Sequence, residues 1–146
     1  MANVEDIVVS FDTAKKLVEK GICLKTVFVW EFTQDKEDIV ALDLVRYWVY
    51  KKYPNHKSFY PAPTAEEIPL PFKVTSDKIE YDLYIDKRND GWCFFYAECE
   101  YMDCIVPSQS DKKLCEAMAK ILIVLKKSCL TDVKEDLCAE KTISNF

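Results

Sequence analysis

The feature that most constrains the fold is an apolar stretch near the C-terminal end, residues 111–127 (DKKLCEAMAKILIVLKK). Its larger apolar residues recur at the spacing of one helical face: Leu114, Met118, Ile121, Leu122 and Leu125. The remaining residues at its centre are also apolar, so the helix has more than one apolar side. The rest of the domain must therefore cover most of it, and the pattern predicts a core helix without indicating any chemistry.

Length and glycine content limit what the remainder can be. A chain of 146 residues fits one domain, which we place at residues 1–130, followed by a polar and weakly helical tail at 131–146. The chain has only two glycines, Gly21 and Gly91, which are seventy positions apart. Neither common type of glycine-rich phosphate loop can be built from them. We expect no cofactor.

The net charge of the chain and the length of its apolar runs limit which partners and which cellular compartment we expect. The formal net charge is −5 and the sequence pI is near 5.0, which disfavours binding to nucleic-acid backbone. The N-terminal residues carry acids and no basic region, unlike a secretory signal, and no apolar run approaches the ~20 residues of a membrane span. We expect a cytoplasmic protein without a membrane partner.

The seven cysteines include no Cys-x-x-Cys pair, which zinc ribbons and fingers need for placing two ligands together. Several lie in apolar segments, where a free cysteine behaves as a small buried hydrophobe. Buried free thiols are therefore the favoured interpretation, and a metal site or disulfides remain alternatives.

Local signals predict an N-terminal helix and a central strand. Residues 10–21 begin with a capping residue, Ser10 or Asp12, and end at Gly21, which supplies the left-handed conformation that closes a helix. Residues 26–32 have β-branched and aromatic side chains at both odd and even positions, as in a strand that is buried on both faces. In the proline-rich connector at 53–71, Thr64 and Glu67 have the spacing of a capping box around one helical turn.

Two further segments complete the predicted fold. Residues 38–53 fit a helical period better than a strand, although their second half is rich in β-formers, so both assignments stay open. Residues 78–101 alternate in polarity around Asn89-Asp90-Gly91, which predicts a hairpin whose turn takes positive φ. Together these elements indicate an α+β domain. We expect an antiparallel sheet of three to five strands, the long C-terminal helix packed on one face, and the short N-terminal helix nearby.

Candidate site residues are few. His56 is the only histidine and lies in a polar loop, where a lone histidine is typically solvated. Glu98 and Glu100 are two apart on a predicted strand and would share a face, as paired carboxylates for a divalent metal require. The aromatic residues exceed the needs of a small core, and tyrosines near prolines commonly form binding surfaces. Our first choice for a binding surface is Tyr53, His56, Phe59 and Tyr60.

Three motifs, in order and at matching spacing, give the chain a family resemblance. They are SFDTAKKLVEKG at 10–21, YPAPTAEEI at 60–68, and EAMAKIL running on to LKK at 116–127. Together they resemble a group of small proteins of gut Bacteroidetes and their phages that has no assigned activity. The resemblance implies an intracellular accessory protein of a phage or mobile element and brings no catalytic residues. This chain departs from the pattern at Pro69-Leu70-Pro71, which cuts short a helix that similar proteins continue.

The leading functional hypothesis is therefore a non-enzymatic binding or interaction module, with a host protein or a second copy of itself as partner. A small hydrolase or nuclease that uses clustered carboxylates and a divalent metal is the alternative, and it requires three or more acids in one pocket. An acidic decoy that imitates nucleic acid is a weaker third idea, which requires one continuous acidic stripe.

Overall fold

The computed structural model describes residues 3–22, 24–33, 36–41 and 59–130. Within them the chain forms two helices, two single 3-10 turns at Val4–Asp6 and Ala65–Glu67, and seven strands. The helices are α1 (Phe11–Glu19) and α2 (Leu114–Lys127). The strands are β1 (Phe28–Thr33), β2 (Lys36–Ala41), β3 (Phe59–Ala62), β4 (Lys73–Ser76), β5 (Ile79–Arg88), β6 (Gly91–Ala97) and β7 (Gln109–Asp111). The predicted tail at 131–146 lies outside these ranges and stays a prediction.

The strands are divided between two antiparallel sheets. One has three strands in the order β2-β1-β3, and the other has four in the order β4-β5-β6-β7. The α+β class is confirmed, as is the packing of the C-terminal helix on a sheet. Strand β1 is the centre of its sheet, as its sequence predicted, and Val29 and Trp30 are buried on opposite faces of it.

Helix α1 begins and ends where its sequence indicated. The Ser10 side chain accepts a hydrogen bond from the backbone N–H of Thr13 at 3.3 Å, which identifies Ser10 as the N-cap. At the other end Gly21 has a φ of 76°, and the N–H of Ile22 donates to the carbonyl of Leu17 at 2.8 Å. This is the glycine-closed arrangement in which the residue after the glycine packs inward, and Ile22 is buried.

The helical assignment of residues 38–53 is wrong at its start. Residues 38–41 belong to β2, where Ile39 lies opposite Trp30 and Val40 opposite Val29. Pairing with the aromatic and β-branched residues of β1 outweighs the helical spacing of this short stretch, because strand preference depends on such cross-strand contacts. Residues 42–53 lie outside the described part of the chain.

The four-stranded sheet contains two tight hairpins. The predicted hairpin at Asn89-Asp90 is confirmed, with Arg88 paired to Gly91, although the positive φ falls on Gly91 (147°) alone. Sequence reasoning missed the hairpin between β4 and β5. There Asp77 and Lys78 have φ values of 50° and 68°, the two-residue turn with positive φ at both positions that matches strand twist.

Helix α2 lies between two hydrophobic clusters, which explains why it is apolar on more than one side. Cys115, Ala119 and Leu122 pack into a cluster with α1 and the three-stranded sheet. Ala117, Ile121 and Leu125 pack into a second cluster with Phe94 and Tyr96 of the four-stranded sheet. One helix therefore contributes to both parts of the core, and each set recurs at helical spacing.

Candidate functional site

The predicted binding surface is described only in part. Phe59 and Tyr60 lie in β3, whereas Tyr53 and His56 fall outside the described residues. Tyr60 lies opposite Trp30 in the sheet, and its ring contacts that of Phe11 edge to face, with 5.4 Å between centroids. Tyr60 thus helps to pack α1 on the three-stranded sheet. The wider surface stays a prediction.

Phe11 is the centre of an aromatic cluster that the sequence did not reveal. Its ring lies 6.1 Å from that of Trp30, edge to face, and 6.0 Å from that of Phe32, stacked. The indole N–H of Trp30 donates to the carbonyl of Val9 at 2.9 Å, so the buried ring has its polar atom satisfied. Phe32 at the edge of the cluster is 38% exposed. Much of the aromatic excess in this region therefore serves packing.

The carboxylate pair predicted at Glu98 and Glu100 does not form. Strand β6 ends at Ala97, and the carboxylate of Glu98 accepts hydrogen bonds from the backbone N–H groups of Glu100 and Tyr101. Glu98 therefore closes a turn, which places Glu100 off the strand face that the prediction assumed. Across the described ranges, no three His, Cys, Asp or Glu residues are grouped so that they could hold a metal ion.

The interpretation of the cysteines as buried thiols holds for only part of the set. Cys93 and Cys115 are buried, and burial raises the pKa of the Cys115 thiol to about 11. Cys99, Cys104 and Cys129 are exposed free thiols. The prediction was wrong for these three because they lie beside turns rather than within strands or helices, and Cys129 follows the end of α2 with a φ of 58°.

A buried carboxylate in α2 was missed by sequence reasoning. Glu116 is only 7% exposed, and it accepts hydrogen bonds from the backbone N–H of Ser10 and from the hydroxyl of Thr13, the latter at 2.5 Å. The signal was present, because Glu116 lies between the buried Cys115 and Ala117 on an otherwise apolar stretch. The contact ties the first turn of α1 to α2.

One surface groove lies where the first 3-10 turn, the second 3-10 turn and the start of α2 meet. We call it the N-terminal groove. Its volume is about 400 Å³, and four apolar or thiol-bearing residues line it: Ile7, Ala65, Leu114 and Cys115. Charged and polar groups complete the lining: Asp6, Thr64, Glu66 and Lys113. A depression of this size, with an apolar part and four charged or polar groups around it, has the character of a ligand or side-chain pocket.

The carboxylate of Glu67 holds the second 3-10 turn beside this groove. It accepts hydrogen bonds from the backbone N–H of Thr64 at 2.9 Å, from the Thr64 hydroxyl at 3.1 Å and from the N–H of Val27 at 2.8 Å. The predicted capping box is thus confirmed. Because three donors converge on one side chain, this side of the groove is a defined structural element rather than a loose loop.

A second groove lies at the end of the β5–β6 hairpin, and we call it the hairpin groove. Its volume is also about 400 Å³, and its lining is largely polar: Arg88, Asp90, Gly91, Trp92, Ser110, Asp111 and Lys112. Gly91 forms the floor of this groove, where it lies close to the backbone of Asp111 and Lys112. A Cβ atom there would lie 2.4 Å from the backbone oxygen of Asp111 and 2.8 Å from Cα of Lys112, so only glycine permits this approach.

The charges around the hairpin groove are partly paired. Burial alone would raise the pKa of Asp111, but hydrogen bonds from the Lys120 ammonium group at 2.8 Å and the Lys113 N–H at 3.0 Å outweigh it. The pKa of Asp111 consequently lies below its ordinary value. On β5, Arg88 donates through Nε to Asp86 at 2.9 Å.

No family model matches the chain, and the comparisons with curated proteins and with solved structures found no significant match. Within the described residues, no helix combines the length and apolar character needed to cross a membrane. Function must therefore be argued from the grooves and surfaces themselves.

Proposed function

We propose that this protein is a non-enzymatic interaction module that binds a segment of a partner protein in the N-terminal groove. The observation that carries the proposal is an apolar depression of about 400 Å³ whose lining residue Ile7 is 46% exposed. A concave apolar site that excludes water around one inserted side chain is the usual form of a binding hot spot. The accessory role implied by the family resemblance is part of the same proposal.

The charge around the groove selects the partner. Among the described residues that line it, Asp6 and Glu66 are acidic and Lys113 is the one cation, and Glu5 lies next to Asp6 in the first 3-10 turn. The chain as a whole carries a formal net charge of −5. A partner segment that bears lysine or arginine beside a large aliphatic residue complements both the apolar floor and the acidic rim.

The groove walls support recognition because they are held in place before binding. Val8 forms an antiparallel bridge with Thr64, and the N–H of Val9 donates to the carbonyl of Pro63 at 3.1 Å. The two 3-10 turns are therefore joined directly behind the groove. Less conformational entropy is lost on binding when the site is already ordered.

Fluorescence anisotropy with labelled peptides tests the proposal. We expect saturable binding of a short peptide with leucine flanked by lysines, and much weaker binding when glutamates replace the lysines or serine replaces the leucine. Ile7→Ser and the charge reversal Glu66→Lys should each weaken binding. Ile85→Ser is the matched control, since Ile85 is 55% exposed on β5 and lies outside the lining of the groove.

Equal loss of affinity in Ile7→Ser and Ile85→Ser would contradict the proposal, as would binding that ignores peptide charge. Light scattering on the purified protein provides a second check. A dimer that Ile7→Ser dissociates would place a second copy in the groove and overturn the assignment to a foreign partner.

The alternative of a metal-dependent hydrolase gains no support from two acids of β5. Asp82 lies 3.6 Å from the ammonium group of Lys73 on the neighbouring strand, which is the cross-strand charge pairing usual on exposed sheet faces. Asp86 pairs with Arg88, two residues further along the same strand.

A further inference from the structure

The outer edge of β4 exposes backbone hydrogen-bonding groups. Strand β4 is an edge of the four-stranded sheet, and the N–H of Leu83 in β5 donates to the carbonyl of Phe72, just before β4, at 2.9 Å. The next pair along the ladder, Lys73 with Asp82, therefore exchanges no hydrogen bonds of its own. Because the direction of these groups alternates along a strand, the N–H and C=O groups of Lys73 and Thr75 point away from β5. No backbone hydrogen bond to another described residue occupies them.

The features that usually protect an edge strand are missing from β4. Edges are commonly blunted by proline, by a bulge or by a charged side chain. Residues 73–76 contain no proline and pair with β5 without interruption. Their one charged side chain, Lys73, lies over its own sheet, with the ammonium nitrogen 3.4 Å from Glu80 and 3.6 Å from Asp82. Of the other outer strands, β3 contains Pro61, β7 has three residues and β2 begins with three consecutive charged residues.

Two exposed apolar side chains lie at the two ends of this edge. Phe72 is 85% exposed, and Ile79, at the start of β5, is 47% exposed. Ile79 is paired with Ser76 at the end of β4. Ser76 and Phe72 are four positions apart on an extended segment, so their side chains share one face of the sheet. One end of the edge therefore carries a large apolar side chain, and the other carries a small side chain next to a second apolar one.

From this edge we infer that the protein forms a symmetric dimer in which β4 pairs antiparallel with β4 of a second copy. With the two-fold axis at Val74, Lys73 lies opposite Thr75 of the second copy, and the two residues exchange N–H···O=C hydrogen bonds through their outward groups. This register uses the outward groups of both residues in both copies. Each Lys73 faces a neutral threonine, so no like charges lie directly opposite each other.

The same register covers the exposed apolar side chains. It places Phe72 opposite Ser76 of the second copy, and Ile79 of that copy is the next residue across. Neighbouring strands are about 4.8 Å apart, so the backbones of Phe72 and this Ile79 are separated by roughly 10 Å, a gap that the two side chains can close over the small serine. In a two-fold interface the same surface must serve both copies. The edge of β4 meets that condition, which is the reason for choosing a second copy over a foreign strand.

The edge is short, so the dimer should be weak. An interface built on a strand of four residues falls below the roughly 1,200 Å² of standard protein–protein interfaces and should dissociate on dilution. It includes none of the described residues that line the N-terminal groove. The inference therefore does not depend on the function proposed above.

Sedimentation velocity of the whole protein, from low micromolar to millimolar concentration, tests the inference. Reducing conditions keep the exposed thiols from crosslinking, and physiological ionic strength screens the repulsion between two chains of net charge −5. We expect a monomer that becomes a dimer as concentration rises. Thr75→Pro should raise the dissociation constant at least about tenfold, because proline removes an outward N–H and no internal hydrogen bond. Phe72→Ser should have an effect of similar size, because the exposed ring is covered only in the dimer.

Amide hydrogen exchange gives a readout that is specific to this register. The N–H groups of Lys73 and Thr75 should exchange quickly in the monomer and become protected as the dimer forms. The N–H of Val74 is directed at β5 and should be protected at every concentration. A dimer that leaves the amides of Lys73 and Thr75 unprotected would overturn the inference.

Thr75→Val and Val27→Ser are the matched controls. The first keeps the backbone donor and the β-branched shape, and the second removes an apolar side chain that is 59% exposed outside the four-stranded sheet. Both variants should dimerise as the unmodified protein does. Equal weakening in Phe72→Ser and Val27→Ser, a dimer that persists in Thr75→Pro, or a monomer at all concentrations would overturn the inference. A dimer that Ile7→Ser dissociates would place the contact in the N-terminal groove and overturn it as well. Thermal unfolding establishes that each variant is folded before it is measured.

Discussion

Removal of the buried carboxylate that joins the two helices should produce a large loss of stability. Glu116 is 7% exposed and accepts from the backbone N–H of Ser10 and the hydroxyl of Thr13. In Glu116→Ala both donors lose their acceptor, the Thr13 hydroxyl at a buried position and the Ser10 N–H at a half-buried one. Thr13 is itself buried, so water does not readily replace the carboxylate.

The magnitude follows from these two hydrogen bonds. A buried donor left without a partner costs about 1–3 kcal/mol, and the half-buried Ser10 N–H costs less because water can reach it, so Glu116→Ala should lower the free energy of unfolding by about 1–4 kcal/mol. Thr13→Val keeps the side-chain volume and removes one donor to a charged acceptor, which should cost about 1.5–3 kcal/mol. The free energy of unfolding of a typical domain is roughly 5–15 kcal/mol, so each of these losses is a large fraction of it.

A double-mutant cycle separates the contact from other effects of the substitutions. Glu116→Ala, Thr13→Val and the double variant would be unfolded in urea and followed by circular dichroism. Because the two side chains interact directly, we expect a coupling energy of about 1–3 kcal/mol, within the range for residues that share a hydrogen bond. Glu116→Gln retains an acceptor oxygen and should lose less than Glu116→Ala.

Two results would refute this reasoning. A loss below about 1 kcal/mol in Glu116→Ala would mean that the donors find other partners at little cost. A coupling energy near zero between positions 13 and 116 would mean that the two side chains do not interact in solution, whatever each substitution costs alone.

Three further predictions concern single positions. Gly91→Ala should lower the free energy of unfolding by about 1–3 kcal/mol, because the added Cβ overpacks against the backbone of Asp111. Gly21→Ala should cost less, since a Cβ there meets no atom within 4 Å. Urea unfolding of the two variants measures the difference. Cys115 is buried and has a pKa of about 11, so it should resist iodoacetamide near pH 8, whereas the exposed Cys99 should react. Mass spectrometry of the alkylated native protein measures both, and equal modification would contradict the burial of Cys115. Because the folded pKa of Asp111 lies below the unfolded value, its stabilisation is present above the unfolded pKa and is lost as pH falls through the folded pKa. Asp111→Asn should therefore lower the free energy of unfolding by about 0.5–1 kcal/mol near neutral pH and leave it unchanged in acid. Denaturant unfolding at several pH values tests this, and a difference that persisted at low pH would contradict it.

Several elements could be predicted from sequence because their signals are local. The cap at Ser10 and the closure at Gly21 depend on residues within one turn of α1, and the Thr64–Glu67 capping box spans four residues. The hairpin at Asn89-Asp90 was indicated by turn residues between two alternating strands. In each case the interacting groups are close in the chain, so residue type and spacing are sufficient.

Predictions failed where a distant partner decides the outcome. Residues 38–41 have a helical spacing, but pairing of Ile39 with Trp30 makes them a strand. Glu98 had the position of a strand residue, and turn formation around its carboxylate removed it from the sheet. Neither pairing partners nor the end of a strand can be read from periodicity over so few residues.

The sequence by itself determined the α+β class, both ends of α1, the C-terminal end of α2 and the need for α2 to be covered on several sides. The start that it indicated for α2, residue 111, belongs instead to β7. Only the tertiary structure decided that α2 belongs to two hydrophobic clusters, that Glu116 binds groups 103 and 106 positions away, and that two grooves flank the start of α2. The physical reason is the range of the interactions. Capping and helical periodicity act within a few residues, whereas burial of a carboxylate and the shape of a groove depend on side chains that only folding brings together.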